Sequence, residues 1–146
     1  MHTFEIVDKF LENNECDFHG ALSEGIIKEM EKKLGITFPR LYVDFLKKYG
    51  SLEWFGHSIY GFSEDEEIDT VICTLELRCE ELIEGFKRLP HEGCVIESYG
   101  GGGCYFLFSS ESKRAGEVAL FTDEAYRDEV ESWESFFDFL SYMFSL

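Results

Sequence analysis

"ESYGGGGCYFLFS", residues Glu97–Ser109, sets four consecutive glycines between a tyrosine and an aromatic run. Its reading decides between a nucleotide-binding α/β fold and an antiparallel sheet. A P-loop needs Gly-x-x-x-x-Gly-Lys-Ser/Thr, because a lysine must reach the phosphates and a hydroxyl must hold magnesium. Here Gly103 is followed by Cys104, Tyr105 and Phe106. A dinucleotide fingerprint would run from a strand into a helix, whereas Phe106 and Phe108 alternate as in a second strand. The stretch reads as strand, glycine turn, strand, since glycine reaches positive φ without steric cost and hairpins require such turns.

Outward from this hairpin the same pattern continues. "CVIES", "CYFLF" and "EVALF", between Cys94 and Phe121, are short apolar runs separated by glycine-containing connections, the signature of an antiparallel meander. The N-terminal half has helical spacing instead. Phe4, Val7, Phe10 and Leu11 follow Thr3, a candidate N-cap, and predict a helix over about residues 4–14. Ser23 caps a second helix with Ile26, Ile27, Met30 and Leu34 facing inward, and Gly35 stands at its left-handed C-terminus. Pro39 opens a third, whose stripe is Leu41, Tyr42, Phe45, Leu46 and Tyr49 and whose end is Gly50.

"SLEWFGHSIYGFS" predicts a turn and a short strand near Ser58–Phe62. From Asp69, Val71, Ile72, Leu75, Cys79, Leu82, Ile83 and Phe86 recur at threes and fours as in a helix, although the β-branched "TVIC" also suits a strand. "WESFFDFLSYMFSL" predicts a terminal helix that includes Trp133. Helices first, strands in a cluster, then a helix make an α+β fold, with residues 1–146 as one domain.

Charge restricts function more than any motif does. Thirteen basic and 30 acidic residues leave a net charge of −17, a field that repels nucleic acid and anionic membrane and steers basic proteins inward. The acids cluster. "SEDEEID" (Ser63–Asp69) and "DEAYRDEVESWE" (Asp123–Glu134) contain between them a single base, Arg127. Either run alone suits a solvated face. The first run lies close in sequence to Trp54 and Phe55, and interfaces combine aromatic anchors with steering charges. Trp54, Phe55, Glu64, Asp65, Glu66, Glu67 and Asp69 are therefore the expected partner-binding residues, with Trp54 and Phe55 exposed and the second run in reserve.

Nothing points to catalysis, a cofactor or a metal. The five cysteines lack C-x-x-C spacing and read as reduced core residues, and His2, His19, His57 and His91 are scattered singly. No nucleophile with a partner base and no spaced carboxylate pair is evident. Without an apolar run of about 18 residues or a basic, apolar leader, the expectation is a cytoplasmic chain.

"IIKEMEKKLGITFPRLYVDFLKKYGS" followed by "SIYGF" resembles the signature of the SUKH superfamily, in the branch related to the fungal cell-wall assembly regulator. The matching positions are Leu34, Gly35, Pro39, Tyr42, Phe45, Leu46, Tyr49, Gly50, Ile59, Tyr60 and Gly61, within a resemblance over about residues 20–142. Phe38 and Phe62 replace the usual leucines, and Gly103 or Cys104 stands where the family turn commonly carries an aspartate. The resemblance implies helices around a mainly antiparallel sheet and no catalytic activity. For many bacterial members it implies an immunity protein neutralising a co-encoded toxin, often a nuclease; for fungal members, regulation through protein contacts. A small-ligand site at the glycine turn is the remaining alternative.

If the glycines only join two strands, ATP, GTP or a dinucleotide should leave the melting temperature unchanged. A ligand bound there at 100 times its Kd would add about 2.7 kcal/mol, and a shift of that order would overturn the hairpin reading.

Overall fold

The computed structural model describes residues 4–78, 89–99, 103–121 and 128–146. Within them the chain runs α1 (Glu5–Asn13), β1 (Asp17–Phe18), α2 (Glu24–Leu34), α3 (Arg40–Lys48), β2 (Leu52–Trp54) and β3 (His57–Ile59). A 3-10 turn (Glu66–Ile68), α4 (Thr70–Arg78), β4 (Gly93–Tyr99), β5 (Gly103–Phe108), β6 (Val118–Phe121), β7 (Glu129–Trp133) and α5 (Phe136–Met143) complete it. The fold is α+β. Its strands form two antiparallel sheets, ordered β1-β2-β3 and β4-β5-β6-β7.

The helical signals act where the sequence places them. The Ser23 hydroxyl accepts the Ile26 N–H (3.3 Å), and Gly35 adopts φ 70° while its N–H bonds the last carbonyls of α2. The buried Glu31 accepts the Phe38 N–H (2.7 Å), which holds the link into α3 in place. Tyr42, Phe45, Leu46 and Tyr49 are buried, as their spacing predicts, and Tyr42 and Phe45 meet Phe136 of α5 edge to face. Leu41 is only half-buried and Ile26 is exposed, so the stripes are narrower than predicted. Thr3 lies outside the described residues.

The meander is present, and Tyr99 pairs with Gly103 across the β4–β5 connection, whose glycines 100–102 lie outside the described residues. Every residue of β5 is buried because the sheet is covered on both faces. Tyr105 and Leu107 join the cluster built from α2, α3 and α5, whereas Cys104, Phe106 and Phe108 join a second one with Tyr60 and Leu89.

The structure differs from the sequence reading in two places. The strand predicted near Ser58–Phe62 is the second arm of a hairpin, His57–Ile59 pairing with Leu52–Trp54, and β1 adds to its edge. Trp133 belongs to β7 rather than the terminal helix; α5 starts after Ser135, whose hydroxyl accepts the Asp138 N–H (3.1 Å). The helix predicted from Asp69 is present as α4, and its continuation through Cys79, Leu82, Ile83 and Phe86 lies outside the described residues.

Where α3 ends, the chain turns back through Gly50 at φ 76°. The Phe62 N–H donates to the Gly50 carbonyl (3.1 Å), and a Cβ on Gly61 would collide with that same carbonyl oxygen and crowd Leu46 Cδ2 at 2.8 Å. Backbone cannot yield as a flexible side chain does. Gly61→Ala should therefore lose at least about 1–3 kcal/mol in urea unfolding, the usual cost of overpacking. An unchanged midpoint would show that the crossing is looser than this geometry.

Candidate functional site

The β2–β3 hairpin turns on Phe55 (φ 38°) and Gly56 (φ 82°), the positive-φ pair that matches the twist of a two-residue hairpin. Glycine tolerates that conformation; a phenylalanine there is strained. Phe55 is also 75% exposed, so within the chain its ring gains little burial to offset the strain. Trp54 is the opposite case. Expected at the surface, it is 5% exposed, with its ring against Phe10 (5.6 Å between centroids) and Phe144 (5.1 Å). Alternation along β2 places Trp54 inward, where it fastens the hairpin to α1 and the C-terminal segment.

The first acidic run divides in the same way. Glu64, Asp65, Glu66 and Glu67 are exposed, and Asp65 accepts the Glu67 N–H (3.0 Å) to shape the 3-10 turn. Asp69, expected with them as a contact residue, is buried. Its carboxylate accepts the N–H groups of Val71 (2.9 Å), Ile72 (3.1 Å) and Ser63 (3.1 Å), capping α4. With its oxygens engaged inside the fold, Asp69 has a structural role.

Between the hairpin and the 3-10 turn lies a cleft of about 1070 Å³. It gathers Trp54 and Phe55 from one predicted segment and Glu67 from the other, while Glu64 lines an adjoining hollow beside Asp17 and Glu53. Five carboxylates, of Glu15, Asp17, Glu53, Glu67 and Glu97, line the cleft, and no lysine or arginine does among the described residues. These acids do not converge on a point. Among the described residues no three His, Cys, Asp or Glu side chains gather closely enough to hold a metal ion.

Glu97 is the residue that sequence reasoning missed. It follows a bulge in β4, where pairing jumps from Val95–Phe106 to Glu97–Tyr105. The bulge is held from outside the sheet: the Val95 N–H donates to Thr74 Oγ1 (2.8 Å), and the Thr70 hydroxyl donates to the Val95 carbonyl. Glu97 is 3% exposed. Its Oε2 accepts the Ser58 N–H (2.8 Å), while Oε1 is buried with no hydrogen-bond partner among the described residues. Burial pushes the carboxyl up to about 7, against the opposing pull of the two Ser58 bonds. Nearby in the cleft lining, His57 Nδ1 is likewise buried without a partner among the described residues. The available signal was a lone acid at the end of "CVIE", in a strand too apolar to face water.

The reserve acidic run is largely committed or outside view. Residues 122–127 lie outside the described residues, and Glu129 takes both terminal nitrogens of Arg114, which also bonds Glu117 (3.0 Å). Cys94 and Cys104 are buried, Cys16 and Cys73 half-buried, and burial pushes Cys94 up to about 12. Such thiols fill space and are poor nucleophiles. Cys79 lies outside the described residues. Among those described, no helix is long and apolar enough to cross a membrane.

The family model SUKH_6, described as SMI1-KNR4 cell-wall, matches residues 24–140. That span includes the α2–α3 pair, the hairpin, the acidic 3-10 turn and the four-stranded sheet. No curated protein matches the sequence.

Glu97 makes stability depend on pH with a definite sign. Its carboxyl is raised from 4.5 to about 7 on folding, so between those values the folded chain holds a proton that the unfolded chain has released. Raising the pH through that window disfavours the fold. Glu97→Gln lacks this dependence, so its stability relative to wild type should rise by up to about 3 kcal/mol between pH 4.5 and pH 8. Urea titrations of both chains across that range test it; a constant difference would mean the carboxyl is solvated.

Proposed function

The chain belongs to the SUKH superfamily, and from that premise we propose that it is a non-catalytic, cytoplasmic protein-binding module, specifically an immunity protein that neutralises a co-encoded toxin. The observation that carries the reading is one acidic cleft flanked by an exposed, strained aromatic. Five carboxylates with no lysine or arginine among the described lining residues suit a basic partner, and Phe55 supplies an unspent apolar anchor. A nuclease domain has such a basic face, because it must bind phosphates. Covering that face would block its substrate without any chemistry by the inhibitor.

In this arrangement Phe55 and Glu64–Glu67 make the contact, with Trp54 and Asp69 holding the frame beneath. A second reading, regulation through protein contacts, is favoured by the cell-wall description of the matching family. The two readings use the same surface and differ in the partner.

The test pairs this chain with the C-terminal domain encoded by the adjacent gene. Co-expression should restore growth of cells that the domain alone arrests, and the purified proteins should associate faster at low salt. The Debye length falls from about 10 Å at 0.1 M to about 3 Å at 1 M, which shortens the reach of rim charges. Reversing Glu64, Asp65, Glu66 and Glu67 to lysine should slow association by about tenfold or more at low salt and leave folding intact. Phe55→Ala should chiefly speed dissociation. Growth arrest that persists beside the chain would reject immunity, and unchanged association of the reversed variant would place the contact elsewhere.

A further inference from the structure

We propose that the Glu97 carboxylate, in the lining of the acidic cleft, is the acceptor for one arginine side chain presented by the partner protein. The inference rests on the reading of this surface as the seat of a basic partner and names the chemistry at its centre. Buried polar atoms in folded proteins are nearly always hydrogen-bonded, so an unmet one asks for an explanation. Glu97 Oε1 is such an atom, in a side chain 3% exposed that lines a cleft of about 1070 Å³. Its sister oxygen is fixed by the Ser58 N–H (2.8 Å), so the carboxyl is oriented before anything binds.

The charge around it selects a cation. Asp17, Glu53 and Glu67 line the same cleft, and none of its described lining residues is a lysine or arginine. Among cations, guanidinium is weakly hydrated and rigidly planar, so it loses least on entering a desolvated site and meets a carboxylate with directed N–H groups. A lysine ammonium would have to shed tightly held water. The cleft is also too large for one guanidinium, since volumes near 1,000 Å³ accommodate drug-sized ligands. Phe55 lies on its lining, 75% exposed. A free amino acid would leave that ring wet, whereas a protein loop carrying arginine covers it.

A proton accompanies the event. In the free chain the carboxyl, raised to about 7, is substantially protonated at neutral pH. An arriving guanidinium favours the ionised form, so the proton passes to solvent and the buried charge is matched as it appears. The titratable groups about Glu97 are His57 and Tyr60, which share the cleft lining with it, Tyr105, its partner across β5, and the cleft acids.

The experiment uses the full chain with acetyl-Gly-Arg-Gly-amide, its citrulline counterpart and free arginine, followed by calorimetry and by Trp54 fluorescence. The arginine peptide should bind at least about tenfold more tightly than the neutral citrulline isostere, the scale of one charged hydrogen bond. Glu97→Gln should shrink that preference below about twofold. At pH 7 the binding heat of wild type, and of His57→Gln, should vary with the ionisation heat of the buffer as a proton is released. This last measurement needs no Glu97 variant, so a misfolded substitution cannot obscure the result. Equal binding of the two peptides, no binding of either, a preference that survives Glu97→Gln, or no proton release would overturn the proposal. Free arginine binding as well as the peptide would overturn the protein-borne source. The immunity reading fails separately: a chain that prefers the arginine peptide yet neutralises no toxin loses only its assigned partner.

Discussion

The crossing of Tyr60 and Gly61 over the end of α3 is the contact on which the rest of the molecule depends. Three separate elements bond to these two residues. The Tyr60 N–H donates to Ile96 of β4 (2.7 Å), and its carbonyl accepts the Tyr42 hydroxyl from α3 (2.7 Å). The Gly61 carbonyl accepts the Thr70 N–H (2.9 Å) at the start of α4, while the next residue bonds back to Gly50. One short stretch thereby joins both sheets and two helices. Gly61 has no side chain because backbone occupies the place a Cβ would take, and Tyr42 is a tyrosine because a phenylalanine would leave the Tyr60 carbonyl, buried at that point, short of a donor.

This explains why the recognisable part of the sequence identifies a scaffold and leaves the contact surface open. Gly35, Pro39, Tyr42, Gly50, Tyr60 and Gly61 all act in building that crossing or the helices that reach it. The surface features stand one step away, supported by it. The hairpin tip projects from β2 and β3, the acidic turn precedes α4, and Glu97 follows the Ile96 carbonyl that Tyr60 engages. If they form the proposed contact, variation in those positions would change the partner while the crossing kept the frame, the usual relation of a site to its fold.

Legibility followed the range of the physical signal. Capping, helical stripes and glycine termini are local, so α2 and α3 could be read residue by residue, and the antiparallel meander followed from alternation and turns. What was hidden depends on partners distant in sequence. β1 is two residues long and exists because β2 lies beside it. β7 is exposed and acidic, with the composition of a solvated run, and only pairing with β6 makes it a strand. Trp54 and Asp69 were misplaced because an aromatic near a turn and an acid in an acidic run look exposed until the packing of Phe10 and Phe144, or the open N-terminus of α4, is known. Glu97 was overlooked because its environment is made by a bulge and by Ser58, 39 residues away.

The two kinds of acid in and around the cleft answer to different physics. Rim carboxylates such as Glu64 and Glu66 sit in water, where an isolated charge pair contributes little and salt screens it; their effect is collective and acts at a distance, on how often a basic partner arrives. Glu97 is removed from that regime. Unpaired and ionised, it would weigh against the fold, and protonated, it leaves an O–H without an acceptor. Neither state is comfortable in the free chain. A buried carboxyl of this kind is improved by a cation delivered to it and by nothing the rim can do. On the proposed reading, a net charge of −17 would bring a basic partner in, whereas one oriented carboxyl would discriminate between a surface that is merely basic and one that carries an arginine in the right place.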